Sequence, residues 1–94
     1  MDVAEVWTHN QLPLPGGVAQ PGSDANHLAV AHPVDDLADM LARHVHHLQR
    51  RGWRLADRDP SGHRATLDIG GTDLLAVECA RRAADVWVEL TFVT

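Results

Sequence analysis

One fully punctuated helix signal near the middle of the chain, followed by an abrupt change of hydrophobic period, constrains the fold more than any other feature. Pro33 and Asp35-Asp36 open it. Proline suits a first helical turn, and acidic side chains there complement the positive end of the helix dipole. Apolar residues then recur at Val34, Leu37, Ala38, Leu41, Val45 and Leu48, the three-and-four spacing of a helix with one buried stripe. Asp36, Asp39, Arg43, His47 and Arg50 fall on the opposite face. Arg50 and Arg51 sit in the last turn, where positive charge is favourable, and Gly52 stands where a left-handed terminating residue is expected. The spacing predicts a helix over about residues 35–51.

After Gly52 the period becomes two. Residues 53–57 alternate as a strand, and Asp59-Pro60-Ser61-Gly62 reads as a turn. Ala65, Leu67 and Ile69 share one face of the next strand. Gly70-Gly71-Thr72-Asp73 reads as a hairpin connection, and Leu75, Val77 and Cys79 share one face of the strand after it. A turn over residues 81–85 leads to Val86, Val88, Leu90 and Phe92, alternating with Trp87, Glu89, Thr91 and Val93. Before the helix, residues 27–31 read as a short strand. The expected fold is α+β: one amphipathic helix on one face of a four- to five-stranded, mainly antiparallel sheet, in the order β-α-β-β-β-β. Only the sheet offers the helix stripe an apolar surface. Leu67, Ile69, Leu75, Val77, Val88, Leu90 and Phe92 should form that surface, with Trp53 and Leu55 at its margin.

Ninety-four residues make a single domain. Residues 27–94 carry the periodic signals. Residues 1–26 read as an extended arm, because Leu12-Pro13-Leu14-Pro15-Gly16-Gly17 and Gln20-Pro21-Gly22-Ser23 break regular structure repeatedly. Within the arm, Val3, Val6 and Trp7 could form an edge strand or a docking segment.

This layout resembles a widespread bacterial type, small α+β domains of unknown function often found in exported proteins and lipoproteins. The matching pieces are Leu12-Pro13-Leu14-Pro15-Gly16, the strand through Val30, the helix over residues 34–51, Gly52-Trp53, and residues 65–93. The resemblance implies the architecture and no catalytic residues. The chain departs from the exported members at Met1-Asp2-Val3-Ala4-Glu5, which has neither the positive region nor the apolar run of a leader. A cytoplasmic protein is the expectation.

Composition narrows the function classes. The net charge of −5 lacks the basic footprint of a dedicated nucleic-acid binder. No stretch approaches the roughly 20 apolar residues that span a bilayer. With one cysteine, no disulfide or cysteine-based zinc site can form within one chain. Cys79 falls on the inward sheet face, where a thiol is an inert packing residue. Ser23 and Ser61 are the only serines, both in turn-like segments, and no nucleophile elbow, phosphate-binding loop or dinucleotide fingerprint is present. The chain is expected to be no enzyme and to need no cofactor.

Three surfaces remain. Seven histidines include His44, His46 and His47 on the helix. His44 and His47, three apart, could supply two ligands to a metal with a third from His32, His63 or a carboxylate. The plainer reading makes them solvated residues on the helix back. The same cluster could sense pH, changing association below about pH 6. Arg50, Arg51, Arg54 and Arg58 with Arg81-Arg82 could form an anion patch, or a solvated rim balanced by Asp57, Asp59 and Asp85. The third surface is the outer sheet face, where Trp87, Leu74, Ala76, Thr91 and Val93 point away from the helix beside Glu78 and Glu89. An outward tryptophan among apolar neighbours marks a contact patch. The arm with Val6 and Trp7 could fold over it, a second copy could pack there as a symmetric dimer, or another protein could dock. The preferred expectation is a non-enzymatic, self-associating interaction module using Trp87, Leu74, Ala76, Thr91, Val93 and Trp7, through that face or an open sheet edge. A small metal- or ligand-binding sensor built on the helix histidines is the alternative.

Overall fold

The computed structural model describes residues 7, 9–34, 36–60, 62–68 and 74–93. Val3, Val6, Asp35, Ser61, Ile69 and residues 70–73 lie outside the described residues. The element order is β1 (Val18–Ala19), β2 (His27–His32), α1 (Leu37–Arg50), β3 (Arg54–Arg58), β4 (Arg64–Asp68), β5 (Leu74–Arg82) and β6 (Asp85–Val93). The six strands form one antiparallel sheet in the order β1-β2-β6-β5-β4-β3. The strand missing from the expectation is β1, two residues of the Pro/Gly-rich arm laid against β2, with Val18 opposite Ala31. No hydrophobic alternation announces a strand that short.

The helix begins and ends where local chemistry tells it to. Asp36 is its N-cap, with the carboxylate accepting the Asp39 N–H at 2.9 Å. Pro33 therefore precedes the helix rather than filling its first turn. At the other end, Gly52 takes φ +97°, its N–H donates to Gln49 O, and Trp53 N–H donates to Leu48 O. That pair of bonds is a Schellman stop, and the buried Trp53 and Leu48 complete its apolar contact.

The buried stripe differs from the expected one at three positions. Ala38 faces solvent, and Met40 and His44 are buried. Leu37, Met40, Leu41, His44, Val45 and Leu48 form an unbroken three-and-four series, so geometry outranks residue polarity. His44, expected on the solvated back of the helix, is fully buried.

The helix rests on the face made by Leu67, Leu75, Val77, Cys79, Val86, Val88 and Leu90, all buried, with Leu28 and Val30 from β2. Strand phase follows the alternation, with Val77 opposite Leu90 and Leu67 opposite Leu75. Leu55 pairs with Leu67 at the margin, as expected, and a bulge at Ala56 then shifts the register so that Asp57 pairs with Thr66.

Trp7, Phe92 and Trp53 close one end of the core. Trp7 stacks on Phe92 with ring centroids 5.1 Å apart, and Phe92 lies 6.3 Å from Trp53. The Trp7 indole N–H donates to Asp24 O at 2.9 Å. Trp7 therefore belongs to the inner layer and does not cover the outer face, where the arm was expected to fold. The arm packs as part of the domain: Leu12 is buried and Leu14 lies against the core.

Candidate functional site

Two surfaces come out of this architecture. The first is the outer sheet face. Reading across the strands, its rows are Ala31-Trp87-Ala80, Ala29-Glu89-Glu78-Arg64, His27-Thr91-Ala76-Thr66 and Val93-Leu74-Asp68-Arg54. Trp87, Leu74, Ala76, Thr91 and Val93 thus do share this face. Ala29, Ala31 and Ala76 are buried because taller neighbours flank them within the sheet. Trp87, Thr91 and Leu74 are half-buried, and Val93 is 41% exposed. The Arg82 guanidinium lies 4.6 Å from the centre of the Trp87 ring, a cation–π contact. His27 Nε2 and the Glu89 carboxylate are 3.4 Å apart. Glu78 and Glu89 are direct cross-strand neighbours, which places two acids side by side in mid-face.

The second surface lies on the other side of the sheet, where the arm crosses the helix. The buried His44 ring is held by both nitrogens. Nδ1 lies 3.1 Å from Met40 O, and Nε2 accepts the Leu14 N–H at 3.4 Å. A carbonyl can only accept, so Nδ1 carries the proton and Nε2 the lone pair. Burial depresses the His44 pKa to about 4. The bond to Met40 O opposes that, and neighbouring His32 and His47 add to the depression. One turn on, His47 Nε2–H donates to Gln11 O at 2.7 Å. The two histidines are therefore fasteners for the arm. His44 has no nitrogen left for a metal, and among the described residues no group of three His, Cys, Asp or Glu side chains is placed to hold one.

His32 stacks edge-on against His44, with centroids 5.4 Å apart. Burial lowers its pKa as well, and its buried Nε2 has no hydrogen-bond partner. Gly17 crosses this ring so closely that a Cβ on it would collide with the His32 imidazole and the Val30 side chain. Glycine at 17 is what lets the arm lie down here.

No protein-family model, curated protein or solved structure matches this chain. Beside the His44 and His47 fastenings a cleft of about 690 Å³ opens between arm, helix and the end of β2, lined by Leu14, Pro15, Pro33, Met40, Arg43, His46, Arg50 and Arg51, among others. Of the sequence-predicted arginine patch, only Arg50 and Arg51 come here, joined by Arg43. Arg54 instead pairs with Asp68 at 3.0 Å, and Arg82 covers Trp87. The cleft was hidden in the sequence because one of its walls is Pro/Gly backbone, whose position no residue pattern reveals. Cys79 is buried as expected, and burial pushes its thiol up to about 12 with help from Glu78, leaving it protonated and unreactive at neutral pH. No helix among the described residues is long and apolar enough to cross a membrane.

Proposed function

We propose that the chain is a non-enzymatic interaction module that pairs with a second copy of itself through the outer sheet face. The observation that carries this reading is that face: a flat floor of alanines ringed by Trp87, Thr91, Leu74 and Val93, with no second layer over it among the described residues.

Size puts such a contact at the lower limit: strands about 4.8 Å apart and rising about 3.3 Å per residue span roughly 570 Å², beside the roughly 600 Å² per partner at which specific interfaces begin. Charge supports the reading. The face carries an acidic pair, Glu78 and Glu89, and on the same surface the arginines Arg64 and Arg82. A two-fold contact needs a surface complementary to itself, and here the acids of one copy can meet the arginines of the other. Edge pairing is the weaker route. β3 is charged, bulged and exposed along its whole length. The β2 edge is shielded by β1 and by the loop whose Gln20 N–H and Ser23 Oγ bond to Ala29.

Sedimentation velocity over a range of micromolar concentrations tests the proposal. The parent chain should sediment as a dimer. Trp87→Arg and Thr91→Arg should each shift it to monomer while retaining a cooperative melt. A parent that stays monomeric, or variants that stay dimeric, overturn it.

A further inference from the structure

We propose that the cleft between the arm and the helix is a binding site for a small organic anion, an apolar body bearing a carboxylate or phosphate group. This inference is independent of self-association, because the cleft lies on the opposite side of the sheet from the outer face.

Charge distribution comes first. The chain carries −5 overall and has only eight basic side chains, all arginine. Three of them, Arg43, Arg50 and Arg51, line this one cleft, and among the described residues no carboxylate lines it. Arg43 binds Asp39 at 2.8 Å, while Arg50 and Arg51 have no ion pair among the described residues. Guanidinium groups match carboxylate and phosphate oxygens in pairs. Arg50 and Arg51, beside His46 and His47 along the same cleft, give it a positive rim that an anion would complement. At the helix carbonyl end, backbone N–H groups cap Leu48 O and Gln49 O, which removes part of the opposing negative charge.

Shape and lining come second. About 690 Å³ is within the range of small-molecule sites. The remaining wall is apolar, from Leu14, Pro15, Pro33, Val34 and Met40, which favours a ligand with a hydrocarbon or aromatic body over a bare inorganic ion. The buried His32 ring lines the cleft as well.

Amide chemical-shift titration of the full chain with phenylacetate, phenyl phosphate and uncharged phenylacetamide provides the test. At least one of the two anions should give saturable shifts confined to residues 14–17 and 50–52, and the one that binds more tightly identifies the head group. The amide should bind at least about tenfold more weakly. Arg50→Gln with Arg51→Gln, both on the exposed end of the helix, should weaken the anion at least about tenfold with an unchanged melt. Trp87→Arg should bind it as the parent does, which separates this result from that of the dimer test. No saturable shift from either anion, equal binding of the amide, or shifts indifferent to the double variant would overturn the proposal.

Discussion

The two faces of the sheet use the same alternation and spend it differently. On the helix side, Leu67, Leu75, Val77, Val88 and Leu90 are completely buried, each held by a neighbour on the adjoining strand and by the helix above. On the other side the same strands present Trp87, Glu89 and Thr91, which are half-buried, beside a buried Ala76 and an exposed Glu78. The difference teaches that a period of two fixes which residues share a face, and that side-chain bulk fixes which face can close on its own. The inner residues fill a layer. The outer ones leave a shallow floor with a tryptophan at its rim.

The sharpest way to break this comparison is Leu90→Asp. Placing a carboxylate in the closed layer costs upward of about 4 kcal/mol, against a total stability of roughly 5–14 kcal/mol for a chain of this size. The cooperative thermal transition followed by circular dichroism should be lost or severely lowered. A folded Leu90→Asp protein would mean the faces are assigned the wrong way round.

Acid should act next most strongly, through the inner layer. The folded state holds His44 neutral, with a pKa of about 4 against 6.5 for an ordinary histidine. Its contribution is therefore complete above pH 6.5 and drains away as the pH falls toward 4. That gap corresponds to about 3 kcal/mol. His32, also lowered by burial, acts in the same direction. Urea melts at a series of pH values should show stability falling through this window. His44→Leu should flatten most of the slope, at a cost of about 1 kcal/mol at neutral pH for the Leu14 N–H left without its acceptor. A parent protein equally stable at pH 7 and pH 4.5 would contradict the buried placement of His44.

Glu89→Ala sharpens the comparison from the other side. Glu89 is one position from Leu90 and points to the open face, where its pairing with His27 is partly solvated. The change should move stability by less than about 0.5 kcal/mol, measured by the same urea melts.

These contrasts also show what could be read from the chain itself. The β5–β6 region was legible because Leu75, Val77 and Cys79, then Val86, Val88 and Leu90, alternate without interruption, and the helix was legible from its caps and spacing. Weighing polarity before position overvalues Ala38 and misplaces His44, while Met40 falls outside the expected stripe although it is apolar. A histidine at a core position is recognisable only by noticing that the three-and-four series is incomplete without it. The arm was the least legible part. Its order comes from backbone groups, Leu14 N–H and Gln11 O, reaching the helix histidines, and from the absence of a side chain at Gly17. Neither signal has a hydrophobic period. The outer-face set Trp87, Leu74, Ala76, Thr91 and Val93 followed directly from strand phase, while Trp7 was missed because its partner Phe92 lies far away in sequence.

The borders of the sheet carry a last consequence. One border is a two-residue strand, and the other is kinked by its bulge and studded with Arg54, Asp57 and Arg58. Neither can template the next chain in register, so ribbon-like or fibrous growth has nowhere to start. Raising the concentration of this protein should therefore not extend the sheet from one chain to the next.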